Sequence, residues 1–210
     1  MYNVICVKFG TKYSSAFVNK LYDDITRHTK SPFNFHCYTD NPDGIKDGIT
    51  VINPIKSPTL KRVWNKLRLF DSQMGLHGKT YFFDLDTKIQ RDPLIDLKDW
   101  SKLTLVDSHW KVGKLHNRLS NYDVKVNSSV MAWDASDREI QKYWKHFNSG
   151  LRDYYLRKYV GIDRFIVHED FEYNTFDHEY IQSKKYQPEV DYKANVLTFE
   201  EIDVELGDII

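Results

Sequence analysis

The chain has 210 residues, with Lys+Arg and Asp+Glu at 30 each, a formal net charge of zero, and 41% hydrophobic and 29% charged residues. That length holds one large domain or a tight pair, and the composition is that of an ordinary globular protein. The balanced charge gives no case for nucleic acid or an anionic membrane surface. No run of 18 apolar residues occurs, and the N-terminus enters a strand with no signal-peptide core. Cys6 and Cys37 lie in apolar runs and read as buried thiols of a reducing compartment, so a cytoplasmic protein without a transmembrane segment is expected. Aromatic residues make up 15% of the chain. Most are expected in core and rim packing, and exposed rings would suit sugars or bases.

Residues 3–9 predict a first strand. A loop follows at 10–13, then a helix capped by Ser14 or Ser15, with Phe17, Leu21 and Ile25 on one face. Strands are predicted at 33–38 and 49–52, separated by a turn at 41–44. The periodicity predicts a second helix over 59–74, with Val63, Leu67 and Phe70 on its apolar side and Lys66 on its polar side. A strand at 80–83 then runs into Asp84, Leu85 and Asp86. This alternation is that of an α/β fold with a parallel sheet. Further strands are predicted at 103–106 and 126–133, with a long polar loop at 108–125 between them. A helix follows at 136–147, then helical residues 153–170 interrupted at Gly161, and short strands at 180–183 and 196–199. The tail from Glu200 is acidic. There is no repeat, low-complexity run or linker, which predicts one domain over 1–210.

The strand at 80–83 is apolar and aromatic, as a strand covered on both faces should be. In open α/β sheets, ligands sit outside the carboxyl ends of the strands. Carboxylates at i and i+2 of an extended segment point to one side, so Asp84 and Asp86 could share a hard divalent cation that also binds phosphate oxygens. The alternative is a strand-to-turn junction with solvated acids, since so short a motif has a high false-positive rate.

Several ordered segments resemble the GT-A-fold nucleotide-sugar glycosyltransferases. The likeness is greatest to the family 8-like retaining enzymes of the glycogenin and lipopolysaccharide galactosyltransferase group, of bacterial or phage type. The segments are VKFGTKY at 7–13, NKLY at 19–22, YTD at 38–40, WNKL at 64–67, FDLD at 83–86 and NSSVMAWD at 127–134. The resemblance implies a single GT-A domain with a mostly parallel central sheet flanked by helices. Residues 1–86 would form the nucleotide-binding half, 87–199 the acceptor and sugar half, and 200–210 an acidic tail. It also implies transfer of a sugar from a nucleoside diphosphate, UDP by default, to an acceptor hydroxyl, with retention and with Mn²⁺ (or Mg²⁺).

The resemblance carries roles onto particular residues. Asp84 and Asp86 would hold the metal, with Asp84 and Leu85 also beside the donor. Val7, Lys8, Gly10 and Tyr13 would line the nucleotide; Tyr13 would stack on the base or be a rim tyrosine. Lys66 would reach the donor sugar or a phosphate, or be a solvated lysine. Asp107 would contact the sugar or cap a turn. Asn127, with Ser128, would recognise sugar hydroxyls, or belong to a bulged strand whose polar groups satisfy local backbone. Lys66, Asn127 and Asp163 are the residues assigned to catalysis, and the acceptor would be read by 108–125.

Two segments depart from the family pattern. Its C-terminal F-H-G-x-x-K-P is replaced by residues 197–201 without His, Gly or Lys-Pro. Glu200 either substitutes as a carboxylate ligand or belongs to the acidic tail. Its G-D-Q is replaced by Gly161-Ile162-Asp163. These departures leave open a non-catalytic module that binds a nucleotide sugar or glycan. FFDLDT also resembles the D-x-D-x-T of haloacid-dehalogenase-like phosphatases, but that family places its motif at the first strand.

Overall fold

A computed structural model describes residues 1–54, 60, 62–97, 102–111, 124–187 and 196–198. Its strands are β1 (Tyr2–Lys8), β2 (Phe33–Thr39), β3 (Ile49–Ile52), β4 (Lys79–Phe83), β5 (Lys88–Ile89), β6 (Leu103–Asp107), β7 (Val126–Asp134), β8 (Tyr173–Thr175), β9 (Ile181–Ser183) and β10 (Val196–Thr198). Its α-helices are α1 (Ser15–His28), α2 (Pro93–Asp96), α3 (Arg138–Phe147), α4 (Arg152–Lys158) and α5 (Ile162–His168). Seven strands form one sheet in the order β3-β2-β1-β4-β7-β6-β8, and β5, β10 and β9 form a smaller one. In the large sheet β7 runs antiparallel to β4 and β6, and the other neighbours are parallel. The result is a mostly parallel central sheet flanked by helices. The departure from an all-parallel sheet has a consequence for the site: the carboxyl ends of β1, β2, β4 and β6 share one edge, and the first residues of β7 join them there.

Side chains alternate across the strands and divide the core between two faces. Ile5, Phe82, Leu105, Met131 and Trp133 pack with the helical segments that follow β3 and β7. Val4, Cys6, Phe35, Cys37, Tyr81, Phe83 and Val130 pack with Phe17, Val18, Leu21 and Ile25 of α1. Thr80 to Phe83 are fully enclosed, as a strand covered on both faces requires. Cys6 and Cys37 are free thiols on adjacent strands, in register and buried. Ser14 occupies the N-cap of α1, but its side chain makes no cap bond; its carbonyl accepts from the Phe17 amide.

The predicted second helix is different. Arg62–Phe70 and Ser72–Met74 are 3-10 helix, separated at Asp71. Every residue from Trp64 to Phe70 is buried, whereas Val63 is 43% exposed. A segment enclosed on all sides cannot keep a polar face in water, so its polar side chains find partners inside. Asn65 Nδ2 donates to the Leu60 carbonyl at 2.7 Å. Arg68 pairs with Asp71 at 3.3 Å and lies over the Trp144 ring. Lys66, expected on a polar side, is buried as well. Runs of 3-10 helix longer than three or four residues are uncommon. The periodicity also missed β5, α2 and β8. Residues 112–123 of the long loop and 199–210, including Glu200, lie outside the described residues.

The packing predicts opposite outcomes for two residues that the sequence places on one helix face. Leu67→Ala should cost about 2–5 kcal/mol in urea unfolding, as buried Leu→Ala changes do. Val63→Ala should stay within about 0.5 kcal/mol of the wild type. A cost above about 2 kcal/mol at Val63 would contradict its exposed position.

Candidate functional site

The shared carboxyl edge of the sheet gathers most of the sequence-predicted residues. β4 ends at Phe83, and Asp84 to Thr87 form a turn closed by Thr87 N–H donating to the Asp84 carbonyl at 3.1 Å. The two carboxylates are therefore placed by a turn and not by strand alternation, which corrects the extended geometry expected for them. Leu85 is buried between them, and both acids are partly exposed.

Asp84 and Asp86 take different partners. Asp84 Oδ2 accepts from Lys66 Nζ at 2.8 Å. The same ammonium donates to the Ser128 carbonyl at 3.1 Å and lies 5.0 Å from the centre of the Phe82 ring. A buried lysine must recover the hydration it loses, and these three contacts do so. The Lys66 side chain is 9% exposed, against 29% for Asp84, so a ligand arriving from solvent meets the carboxylate first. Asp86 Oδ2 accepts from the Tyr13 hydroxyl at 2.9 Å. The Tyr13 ring packs edge-on against Phe17 and lies under Lys12. Burial and the Asp86 carboxylate push the Tyr13 hydroxyl pKa upward, so it stays a donor.

Asp84 is also perturbed, and in the direction that favours its neutral form. Burial pushes its pKa from 3.8 up to about 7; Lys66 opposes the shift, while Asp86 and Asp163 add to it. Asp163, on the first turn of α5, is buried, and its Oδ1 accepts from the Ser128 amide at 3.1 Å. Asn127 Oδ1 accepts from the Ser129 amide at 2.7 Å, so in this structure it satisfies local backbone. The Asp84 amide donates to the Ser129 carbonyl at 2.8 Å. Lys66, Asp84, Asn127, Ser128 and Asp163 thus belong to one connected network.

The remaining residues line the rest of that edge. Lys8 is buried, and its Nζ donates to the Asn41 carbonyl at 3.2 Å, holding the loop after β2. Val7 is a partly buried core residue. Gly10 has φ 72°, a left-handed conformation that glycine adopts without strain. Its amide faces both Asp40 oxygens at 3.2 and 3.3 Å. Asp40, part of the YTD segment, was given no site role from the sequence, although an acid just past a strand neighbouring β1 was the available signal. Asp107 ends β6 partly buried, with no side-chain hydrogen bond or ion pair among the described residues. Glu200 lies outside the described residues. Among those described, no group of three or more His, Cys, Asp or Glu is placed to hold a metal ion.

No family model matches the sequence, and a search of curated proteins finds no significant relative. Solved structures do match. The glycosyltransferase GlyE of Streptococcus pneumoniae TIGR4 superposes with a TM-score of 0.68 at 13% identity, over 97% of this chain and 56% of that one. An active-site mutant of LgtC superposes with a TM-score of 0.63 at 10% identity, over 95% of this chain and 88% of that one. The chain has the GT-A glycosyltransferase fold. It spans just over half the length of GlyE. At these identities the likeness establishes the fold alone. No described helix is long and apolar enough to cross a membrane.

The Asp84 environment has a sign that can be tested. Its folded pKa lies above its unfolded value, so its contribution to stability is fully present below about pH 4 and lost as pH rises through about 7. Asp84→Asn should flatten the fall in unfolding free energy over that window, measured by urea unfolding at several pH values. An unchanged slope would contradict the assigned environment.

Proposed function

We propose that the chain is a glycosyltransferase that takes a nucleoside-diphosphate sugar, UDP-linked by default, and passes the sugar to an acceptor hydroxyl with retention. The observation that carries this reading is the Lys66–Asp84 pair at the carboxyl edge of a GT-A sheet, with Asp86 in the same turn. That edge is where open α/β sheets bind ligands.

Asp84 and Asp86 are hard oxygen donors suited to Mn²⁺ or Mg²⁺. Mg²⁺ is commonly held by one or two carboxylates, with substrate phosphates completing its shell. With no third described ligand, the pair fits an ion shared with a diphosphate better than a protein-only cage. When bound, such an ion supplies neutralisation of the departing diphosphate charge. Lys66 adds a fixed positive charge beside the same carboxylate, positioned before the reaction and held out of water. Gly10 brings backbone close to the nucleotide, and Tyr13 is held by Asp86 at its rim. Asp107, without a partner among the described residues, is available for a sugar hydroxyl. The acceptor is read by the segment after β6.

A second reading keeps the scaffold and removes turnover: a module that binds a nucleotide sugar or glycan. It is favoured by the lack of His, Gly and Lys-Pro in the sequence at 197–201 and by Lys66 already pairing with Asp84. The phosphatase reading has no support from the fold, which is shared with glycosyltransferase structures.

A thermal-shift panel of UDP, GDP, CDP, ADP and TDP, each with Mn²⁺ and with EDTA, separates these readings. One nucleotide should stabilise only with metal, by about 2.7 kcal/mol at a hundredfold excess over Kd, a shift on the order of 5–10 °C. Asp86→Asn should abolish that shift without lowering the melting temperature of the free protein by more than a few degrees. Sugar transfer alongside the shift supports the enzyme, and binding without transfer or hydrolysis supports the module. Stabilisation by none of the five would overturn the enzyme reading and leave the non-catalytic module, as a glycan binder, in the lead.

A further inference from the structure

The start of β7 is irregular in a way that gives Asp163 a specific task. On the β6 side the register jumps: Leu105 is opposite Met131, but the next residue, Val106, is opposite Asn127. On the β4 side the last pair is Phe83 with Val130. Ser128 and Ser129 therefore lie outside both ladders, although both are buried. Buried peptide groups need partners, and all four find one. The Ser128 amide donates to Asp163 Oδ1 at 3.1 Å, and its carbonyl accepts from Lys66 Nζ at 3.1 Å. The Ser129 amide donates to Asn127 Oδ1 at 2.7 Å, and its carbonyl accepts from the Asp84 amide at 2.8 Å. Bulges beside active sites commonly re-aim side chains. Here the bulge presents a carbonyl to Lys66, and that lysine reaches Asp84 at 2.8 Å.

We propose that Asp163 is a positioning residue. Its carboxylate fixes the Ser128 amide on one side of that residue, and the carbonyl on the other side, in the next peptide, aims Lys66 at Asp84; Asp163 is not a group offered to the sugar. The inference deepens the glycosyltransferase reading and rests on it for the transfer measurement alone. Asp163 is 5% exposed, and its described contact is the Ser128 N–H. The far end of its helix is also held. Glu169, just past α5, accepts from Lys158 Nζ at 2.9 Å and Tyr159 Oη at 2.5 Å, and faces His146 Nε2 at 3.1 Å. These contacts tie α5 to α3 and α4, so the carboxylate is carried on a braced element, as a positioning group requires.

The positioning role needs an acceptor oxygen, whereas a role as nucleophile or as a charge facing the sugar needs the anion. Asparagine keeps the acceptor and removes the charge. Asp163→Asn should keep the Ser128 amide protected in native-state hydrogen exchange and keep kcat/KM within about 10-fold of the wild type. Asp163→Ala should expose that amide to fast exchange and lose about 100-fold in kcat/KM, the scale of a 1 Å misplacement. In a Lys66→Met background, Asp163→Ala should cost little more, because its effect runs through the lysine.

An Asn variant that is folded, with Ser128 protected, but as inactive as Ala would overturn the proposal, because the charge would then be essential. Fast exchange in both variants, or slow exchange in both, would also overturn it. If Asp163→Ala does not fold, the Asn variant alone still decides between charge and acceptor. The exchange comparison needs no turnover. A wild type without metal-dependent nucleotide binding would therefore remove the enzyme reading while leaving this inference to stand or fall on Ser128.

Discussion

One ammonium group holds the candidate site together. Lys66 lies inside the protein with Asp84 on one side, the Ser128 carbonyl on another and the Phe82 ring beneath it. A buried charge is tolerated only when it is paired and hydrogen-bonded. Once Lys66 is inside, the turn after β4, the bulge of β7 and the first turn of α5 all have to supply or support its partners. The same 3-10 segment carries Asn65 and Arg68 into the core, and each has an internal partner there. A pair of this kind is weak evidence for stability, because desolvation offsets much of the attraction. Its value here is orientational: it fixes a positive charge beside a carboxylate that still opens to solvent.

The charge arrangement bears on the chemistry. Asp84, Asp86 and Asp163 lie near one another at the edge of the sheet, and burial, with repulsion from the other two acids, lifts Asp84 well above an ordinary carboxylate. Lys66 offsets only part of this. Lys8, the other buried lysine at this edge, is turned toward the Asn41 carbonyl and serves the β2–β3 loop. A site left with surplus negative charge is one to which an added cation binds favourably, and two hard carboxylates in one turn are where it would go. The same arrangement accounts for the partly buried Tyr13 hydroxyl, which donates to Asp86 and is held protonated by burial and by that carboxylate.

The sheet was legible because its strands are short, apolar and punctuated by turn residues. β3 agrees to the residue, and β4 was recognisable as doubly covered. The Lys66 segment was not legible, because the spacing of Val63, Leu67 and Phe70 imitates an amphipathic helix while the fold leaves Val63 exposed and encloses Trp64 to Phe70 on every side. Periodicity reports one face of a helix and is silent when there is no outer face. For the site, residue types and positions relative to strand ends were informative, and partners were not. Tyr13 with Asp86 and Lys66 with Ser128 are contacts across 73 and 62 residues of chain, which no local pattern encodes. The antiparallel insertion of β7, which brings Asn127 and Ser128 to the carboxyl edge, is a topological choice that strand patterns leave open.

The most direct test of the account is anomalous diffraction from crystals of the full chain grown with Mn²⁺ and the stabilising nucleoside diphosphate. A manganese peak should lie within about 2.0–2.3 Å of a carboxylate oxygen in the Asp84–Asp86 turn, with the diphosphate on the same ion and Lys66 still beside Asp84. A nucleotide bound elsewhere, or manganese on other ligands with this turn unchanged, would contradict it.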